Sequence, residues 1–439
     1  MKPALWVSTG LCALIGTAAW AEMPAPLTNA DYTTIDEAEA RLGRDLFYDP
    51  ILSGNRNISC ATCHHPDFAT GDGLSLGMGE GGIGLGPARH PDPNNLPEQR
   101  IPRNSPALFN LGATQFTRLF HDGRVEQDPK HANGLRTPLE DDMVTGFSGI
   151  LSAQNMFPVL SPDEMAGHYQ ENDVSKAVRS GRITGPGGAW DIIAQRVWAI
   201  PSYRIRFEAL HPELTTGAPL TFPQISNAIA AFVAEEWRSD TSPFDAALRG
   251  ETPLSPEAQA GVDLFYGDAG CSSCHAGVLQ TDHDFHAMAA PQIGPGKAER
   301  FENHSRDEGR MRVTGNPKDR FAFRTPSLRN VMKTGPWGHA GGATDLTAFL
   351  RGHGQPESLA AYTATATLPA FPKTKPDWAI LEDPSEMAAI EAASLHTRPL
   401  SEAEIPQILA FLDSLTDPTA IKGRLGVPDS VPSGLKMDK

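Results

Sequence analysis

The 439-residue sequence predicts a mostly α-helical, loop-rich protein built from two similar lobes. Apolar residues recur at helical spacing in several segments, whereas the alternating pattern of strands is almost absent. The 41 glycines and 38 prolines indicate many loops, because both residues interrupt regular structure. Two lobes are expected because several short segments occur twice in the same order, which is typical of an internal duplication.

The repeated segments align the two halves of the chain. G-R-D-L-F-Y at residues 43–48 corresponds to G-V-D-L-F-Y at residues 261–266. R-N-S-P-A-L-F-N at 103–110 corresponds to R-T-P-S-L-R-N at 324–330, and a histidine close to a glycine follows each. We expect an N-terminal lobe at residues 22–240 and a C-terminal lobe at residues 241–439, because Ser, Thr, Pro and Gly cluster around this boundary.

Three helices are predicted from their periodicity and their ends. Residues 223–238 place apolar side chains on one face, which we interpret as core. Residues 401–404 form a capped start for a second helix, and a proline at 418 follows its end. A third helix is expected to begin near Asp345.

A five-residue motif, Cys-x-x-Cys-His, occurs once in each predicted lobe. Its residues are Cys60, Cys63, His64, Cys271, Cys274 and His275. Two thiols one helical turn apart can each bond to a vinyl group of one porphyrin, and the following imidazole can bind the iron. The motifs therefore predict two covalently bound haem c groups in cytochrome-c-like lobes. A zinc knuckle, a redox pair or a disulfide is the alternative for each motif.

The first 21 residues have the features of a secretory signal peptide. Lys2 precedes an apolar run, and A-W-A at residues 19–21 forms a small-residue cleavage site. Cys12 lies in the apolar run, so the mature chain is expected to keep only the four motif cysteines. No later stretch approaches the roughly 18 apolar residues of a membrane span. We expect a periplasmic protein, with an uncleaved N-terminal anchor as the alternative.

The formal net charge of −16 bears on the choice of partner. Such acidity argues against nucleic acid and anionic membranes, and it favours a basic partner such as a small donor cytochrome. An acidic surface that maintains solubility explains the charge equally well.

Together these motifs resemble the bacterial dihaem cytochrome c peroxidase family, including its MauG branch. The resemblance covers most of the mature chain. It implies a peroxide-reacting haem in the N-terminal lobe and an electron-transfer haem in the C-terminal lobe. It also implies hydrogen peroxide as oxidant and a small electron-donor protein, either a c-type cytochrome or a cupredoxin.

The resemblance assigns His353 as the distal ligand of the second haem, fourteen residues beyond His339. The peroxidases of the family have methionine at this position, and the MauG branch has tyrosine. His353 therefore departs from the peroxidase pattern. Ligation by two histidines lowers the reduction potential of the haem relative to His/Met ligation. An exposed loop histidine is the alternative.

At the first haem, the resemblance assigns Glu164 as the acid/base that moves a proton between the two peroxide oxygens. Gln154 and Pro158 match the family spacing and would line the pocket. An ordinary acid in the first turn of a helix is the alternative for Glu164. The Gly-rich loop at 71–86 carries Met78 but lacks the displaceable histidine of the peroxidases, so we expect an open first iron, as in the MauG branch.

Between the two haems, this chain departs from the family. The family has Phe-Trp-Asp-Gly-Arg, whereas this chain has His121 in place of the tryptophan. Imidazole is harder to oxidise than indole, so His121 is either part of an electron path or a hydrogen-bonded structural residue. Trp337 would replace the missing tryptophan only if the fold places it between the porphyrins.

A calcium ion between the lobes is also implied by the resemblance. Asn104 would provide a side-chain oxygen, and Thr334 and Pro336 would provide carbonyl oxygens, which suit calcium. A turn-stabilising role is the alternative for Asn104. A second metal cluster can be imagined from three histidines and three acids, although their irregular spacing favours a loop at the haem edge. Its members would be Asp282, His283, Asp284, His286, Glu302 and His304.

Three functions follow from the resemblance. The first is a periplasmic peroxidase that reduces hydrogen peroxide with electrons from a small donor protein. The second is a MauG-like oxidase that uses peroxide to modify tryptophan or another side chain of a partner protein. The third is a dihaem electron carrier without enzymatic activity, which requires both irons to be six-coordinate.

Overall fold

The computed structural model describes residues 23–131, 133–297, 302–362, 365–371 and 377–438. The predicted signal peptide at residues 1–21, with Cys12, lies outside them. Helices and irregular loops dominate, and the strands are two or three residues long, as the predicted fold class requires. Within the described ranges, no helix combines the length and the apolarity needed to cross a membrane.

The regular elements of the described residues follow one another in chain order. The α-helices are α1 (Glu37–Tyr48), α2 (Cys60–Cys63), α3 (Ile150–Gln154), α4 (Asp173–Arg179), α5 (Ala189–Trp198), α6 (Pro201–Leu210), α7 (Phe222–Glu236), α8 (Pro243–Leu248), α9 (Pro256–Phe265), α10 (Met311–Thr314), α11 (Leu346–Gly352), α12 (Pro384–Ala393), α13 (Glu404–Ser414) and α14 (Pro418–Lys422). The strands are β1 (Gly82–Ile83), β2 (His90–Pro91), β3 (Arg118–Leu119), β4 (Val125–Gln127), β5 (Leu135–Arg136), β6 (Phe285–His286) and β7 (Phe323–Arg324).

The strands form three small antiparallel sheets. β1 pairs with β2, and β3, β4 and β5 form a meander in chain order. β6 pairs with β7, with Phe285 opposite Arg324. This last pair joins the loop after the second CxxCH motif to the second copy of the repeated Pro-x-Leu-x-Asn segment.

Helices α1 and α7 form the centre of a first hydrophobic cluster. The predicted face of α7 is buried, with Ile225, Ile229 and Phe232 at most 2% exposed. The two helices cross closely, because a Cβ on Gly43 of α1 would lie 1.7 Å from the carbonyl oxygen of Ala228 in α7. A larger residue at position 43 would force the helices apart.

Helices α9 and α13 form the centre of a second cluster in the same way. A Cβ on Gly261 of α9 would lie 2.0 Å from the carbonyl oxygen of Gln407 in α13. Phe265 and Phe411 meet edge to face, with ring centroids 4.8 Å apart. The predicted capped start of α13 forms only in part: the helix begins at Glu404 after Ala403, which makes no side-chain cap, while the N–H and hydroxyl of Ser401 donate to the carboxylate of Glu404.

The repeated asparagines occupy matching positions in the two clusters. The N–H of Asn110 donates to the carbonyl of Trp237, at the end of α7 (3.0 Å). The N–H of Asn330 donates to the carbonyl of Leu415, at the end of α13 (3.2 Å). Each asparagine therefore ties its own repeated segment, 103–110 or 324–330, to the end of the closing helix of its cluster.

The C-terminal segment 423–438 returns to the first cluster. Backbone N–H groups of residues 424–426 donate to the carboxylate of Glu236, at the end of α7. Near the end of the chain, the Thr62 hydroxyl donates to Asp438 at 2.7 Å. The first CxxCH motif is therefore covered by chain from the opposite end of the sequence.

Candidate functional site

The cysteines of both CxxCH motifs are free and half-buried. Burial raises the pKa of Cys60 and of Cys63 to about 12, and that of Cys271 to about 11. Reactive cysteines have a lowered pKa instead, so these thiols do not resemble a redox pair. The unpaired state of the thiols also argues against the disulfide alternative.

The imagined metal cluster around the second motif does not form as a set of six. Only Cys274, Asp282 and His286 bring ligand atoms together, all within 4.8 Å of one another, in a search of the described ranges. A structural zinc site uses four ligands, so the trio is one short. Elsewhere in the set, His304 lies 3.6 Å from Glu302.

Both motif histidines are oriented by a backbone carbonyl. Nδ1 of His64 lies 2.9 Å from the carbonyl oxygen of Thr70, and Nδ1 of His275 lies 3.0 Å from that of Gln280. A carbonyl can only accept a hydrogen bond, so Nδ1 donates and Nε2 is left with its lone pair. Metal-binding histidines are commonly fixed in this way, and the two imidazoles are therefore suited to bind iron.

A second imidazole faces the histidine of the second motif. Asp345 caps α11 as predicted, and His353 follows its last residue. The ring centroids of His275 and His353 are 6.2 Å apart, with 41° between the ring planes. Two imidazoles that bind one metal from opposite sides, with metal–nitrogen bonds of about 2 Å, have ring centres roughly 6 Å apart. The spacing fits an iron held between them.

The first motif lacks such a partner. In the part of the chain that the structure describes, no second aromatic or imidazole ring contacts His64. Met78 of the Gly-rich loop is fully buried, and the nearby His90 is exposed. In both motifs the histidine donates from Nδ1 to a backbone carbonyl, but only His275 faces a second imidazole among the described residues.

The predicted acid/base lies close to the first motif. Glu164 is half-buried in a short π-helical turn, Pro162–Ala166. After burial and the charge of Asp72, the charge of Glu164 contributes to the raised pKa of Cys63. Gln154 ends α3, and Pro158 begins a 3₁₀ turn just before this segment. The three predicted pocket residues thus occupy consecutive turns.

A largely apolar cavity of about 330 Å³ lies against the second motif. The second motif and His353 line this cavity, together with several other residues that were predicted to belong to a site. Those residues are Asn104, His121, Gln154, Thr334, Pro336 and Trp337. Glu164 and Pro158 do not line it. Trp337 packs on the second cluster, and its indole N–H donates to the carbonyl of Val331 (3.0 Å).

Two of the histidines that line the cavity, His121 and His339, have a lowered pKa. Burial lowers the pKa of His339 to about 4, and neither of its ring nitrogens has a hydrogen-bond partner among the described residues. Its ring stacks on Phe323, with centroids 3.7 Å apart. Burial, followed by the charge of Arg103, holds the pKa of His121 well below its usual range. His339 was not predicted as a site residue. The only sign of it in the sequence is that a histidine close to a glycine follows each repeated segment.

Arg324 also lines the cavity, although it was not predicted as a site residue. Its guanidinium donates to the carbonyls of Phe120 (3.4 Å) and Thr325 (3.1 Å). No carboxylate pairs with it among the described residues, and burial lowers its pKa to about 10. A cation without a counter-ion is costly in an apolar cavity. A bound group that carries carboxylates, as haem does, would compensate it.

The residues predicted to bind calcium reach the same cavity from different segments. The amide of Asn104 donates to the carbonyls of Leu74 (2.8 Å) and Ser75 (3.2 Å), which belong to the Gly-rich loop. The hydroxyl of Thr334 donates to Val331 (3.3 Å). Asn104 therefore holds the Gly-rich loop through its nitrogen.

Comparison with known proteins gives consistent results. The sequence profile of the di-haem cytochrome c peroxidase family matches residues 37–253. Methylamine utilization protein MauG of Methylorubrum extorquens is 30% identical over 315 residues, which cover 70% of this chain and 66% of MauG. Cytochrome c551 peroxidase of Pseudomonas aeruginosa is 27% identical over 327 residues, or 74% of each chain.

A solved structure shows the same fold. The diheme peroxidase BthA from Burkholderia thailandensis superposes with a TM-score of 0.56 at 20% identity, covering 96% of this chain and 97% of BthA. The family comprises peroxidase oxidoreductases that carry two haems. With its two CxxCH motifs and its matched helix pairs, this chain belongs to the di-haem cytochrome c peroxidase family.

Proposed function

We propose that this chain is a periplasmic dihaem c-type peroxidase that reduces hydrogen peroxide with electrons from a small donor protein. The observation that carries the proposal is the asymmetry of the two motifs. A second imidazole, His353, faces His275 at 6.2 Å between centroids. His64 has no such ring partner within the described ranges, and the charge of Glu164 acts on Cys63 of the same motif. One site is thus built to be closed and the other to accept a small ligand.

The residues that would hold the two haems are the members of the CxxCH motifs. Their thiols would form the covalent links, and Nε2 of each histidine would bind iron. When bound, each haem supplies an iron that exchanges electrons, and the first also supplies the place where peroxide binds. The cation of Arg324 would face haem carboxylates in the cavity.

Glu164 would handle the proton at the first site. Peroxide reduction requires a proton to leave the oxygen nearer the metal and to arrive at the departing oxygen. A carboxylate oxygen of Glu164 can accept the first proton and return it to the second oxygen without net change in the residue. The cation of Arg124 acts electrostatically on this carboxylate. Gln154 would orient the peroxide, and Pro158 would fill the pocket wall.

The second site would pass electrons to the first across the cavity. His275 and His353 would keep its iron closed to peroxide, so that it only exchanges electrons. His121 lies on the wall of the cavity, and burial holds its pKa well below the usual range. We infer that it shapes the electron path and excludes water, since a neutral imidazole is a poor electron donor.

Turnover measurements with the holoprotein test the role of Glu164. A reduced small cytochrome c and hydrogen peroxide serve as substrates, and the Glu164→Gln variant is compared with wild type. Loss of general acid/base assistance typically lowers the rate by roughly 10²- to 10⁴-fold. Glu257→Gln, an exposed acid in the first turn of α9, provides the matched control and should retain full turnover.

Two outcomes would contradict the proposal. Full turnover of Glu164→Gln would remove its acid/base role. Electron paramagnetic resonance that shows two low-spin, six-coordinate haems, together with no reaction with peroxide, would instead support an electron carrier. A high-spin signal from the first haem is the expected result.

A MauG-like oxidase is the second candidate, and the closed second site favours it. His353 pairs with His275, and the Gly-rich loop has no histidine to occupy the first site. Such an enzyme would draw electrons from tryptophan or another side chain of a partner protein. Mass spectrometry of a protein encoded beside this gene, after treatment with peroxide and the holoprotein, would reveal the oxidised side chain.

Localisation, lobe division and calcium are parts of the same proposal. Cleavage after residue 21 would produce a mature protein that begins at Glu22, which N-terminal sequencing of the periplasmic fraction can test. We infer two duplicated lobes that meet near residue 240, supported by the matched pairs α1–α7 and α9–α13. Calcium would bind at Asn104, Thr334 and Pro336, and we expect a chelator to lower peroxidase activity reversibly.

A further inference from the structure

The Gly-rich loop touches the segment of Glu164 backbone to backbone. A Cβ on Gly79 would lie 2.1 Å from the carbonyl oxygen of Asp163 and 2.8 Å from Cα of Glu164. The N–H of Glu80 donates to the same Asp163 carbonyl at 3.0 Å. Only glycine permits so close an approach, so the place of this loop determines the place of the turn that carries Glu164.

The loop is fixed at this contact by the carboxylate of Glu80, which is 1% exposed. Its Oε1 accepts hydrogen bonds from the side-chain amides of Asn55 (3.0 Å), Asn57 (3.0 Å) and Asn95 (2.7 Å). The amide of Asn55 also donates to Glu171 (2.7 Å), beyond the π-helical turn. The carboxylate thus connects the Gly-rich loop to two other segments, one with Asn55 and Asn57 and one with Asn95.

A buried arginine holds the remainder of the loop. Arg89 is 3% exposed, and its guanidinium donates to the carbonyls of Met78, Gly79 (2.8 Å) and Gly84 (2.6 Å). These bonds close the loop on itself, so it moves as one unit. The position of that unit relative to Glu164 then depends on the bonds of Glu80.

We propose that Glu80 is a positioning residue that fixes Glu164 over the first haem site. This inference rests on the proposed role of Glu164. A buried carboxylate is costly unless hydrogen bonds compensate it, and apolar packing alone could cover the pocket. The three amides instead give the loop one defined position. Proton transfer needs that precision, because misplacement by about 1 Å can lower a rate roughly 10²-fold.

The first test is Glu80→Ala in the holoprotein, examined by hydrogen–deuterium exchange and by turnover. We expect faster exchange at residues 77–82 and 162–166, and turnover lower by roughly 10- to 100-fold. The absorption spectrum of both haems should be unchanged. Glu80→Gln keeps one carbonyl oxygen for the three amides and should restore slow exchange and most of the turnover.

A double variant tests whether Glu80 acts through Glu164. If it does, adding Glu80→Ala to Glu164→Gln should cause no further loss of turnover, since coupled residues are not additive. Losses that multiply would overturn the inference. Gly79→Ala disturbs the same contact with the asparagine bonds intact and should behave like Glu80→Ala, which provides a second variant if the first fails to fold.

The outcomes separate this inference from the proposed function. Unchanged exchange at residues 162–166 in Glu80→Ala, with Glu164→Gln inactive, would overturn the positioning role alone. Faster exchange there, with Glu164→Gln fully active, would instead contradict the acid/base role of Glu164. Glu257→Gln serves again as the control and should alter neither measurement.

Discussion

The two CxxCH motifs are alike on one side of the histidine and different on the other. His64 and His275 each donate from Nδ1 to a backbone carbonyl, at 2.9 and 3.0 Å. Only His275 faces a second imidazole, which His353 provides from the end of α11. The motif therefore determines the orientation of its own histidine, whereas residues distant in the sequence determine what faces that histidine.

The Pro-x-Leu-x-Asn segments differ in a similar way. Phe109 precedes the asparagine in the first copy and is 4% exposed in the first cluster. Arg329 takes that position in the second copy and forms a fully buried ion pair with Asp245 at 2.7 Å. The same backbone arrangement is therefore stabilised by apolar packing in one cluster and by a buried charge pair in the other.

The largest effect is expected from His353→Ala, which should make the second haem site as open as the first. On the proposed assignment, His353→Ala removes one ligand, so the second haem should change completely from low-spin to high-spin. Electron paramagnetic resonance of the ferric holoprotein measures this change. His90→Ala, at an exposed histidine of β2, is the control and should leave both signals as in wild type. An unchanged low-spin signal in His353→Ala would rule out His353 as the ligand.

The next prediction compares the two core positions. Arg329→Met leaves the charge of Asp245 buried without a partner, which typically costs about 3–5 kcal/mol of unfolding free energy. Phe109→Leu loses only some apolar contact and should cost about 1 kcal/mol. Denaturant unfolding of the two holoprotein variants measures both values. Equal losses would show that the ion pair is less important than its burial suggests.

The helix crossings should respond alike. Gly43→Ala places a methyl group against the backbone of α7, and Gly261→Ala does the same against α13. Overpacking typically costs about 1–3 kcal/mol, so each variant should lose a similar amount of unfolding free energy. Thermal denaturation of each holoprotein provides the measurement. A loss confined to one variant would contradict the similarity of the two clusters.

The smallest expected effect is the dependence of the melting temperature on pH. Burial opposes the ionisation of Asp122 and Asp307, but the charge of Arg103, 2.7 Å from each, outweighs it and holds both pKa values well below their usual range. Such groups stabilise the folded state above their unfolded pKa of about 3.9 and lose this contribution as pH falls further.

The melting temperature should therefore fall as pH drops below about 4. Asp307→Asn should weaken this dependence, because one of the two titrating carboxylates is gone. In the second copy of the segment, Arg324 takes the first position, and its guanidinium donates to backbone carbonyls rather than to a carboxylate among the described residues. A pH profile identical in Asp307→Asn and wild type would contradict the role of this cluster.

Much of the fold could be predicted because its signals are local. The buried face of α7 and the start of α11 depend on residues a few positions apart. The C-terminal segment 423–438 could not be predicted to cover the first motif, since its anchors, such as Glu236, are far away in sequence. Arg324 and His339 could not be predicted as site residues either, because their role depends on the cavity that distant segments form around them.

The sequence by itself determined the two CxxCH motifs and the apolar faces of helices such as α7, because covalent chemistry and helical periodicity are properties of neighbouring residues. The resemblance to the family had already predicted His353 and an open first site, whereas the tertiary structure alone decided that Glu80 is held by three asparagines and that Arg324 and His339 line the cavity. These contacts join segments distant in the chain, and only packing brings them together.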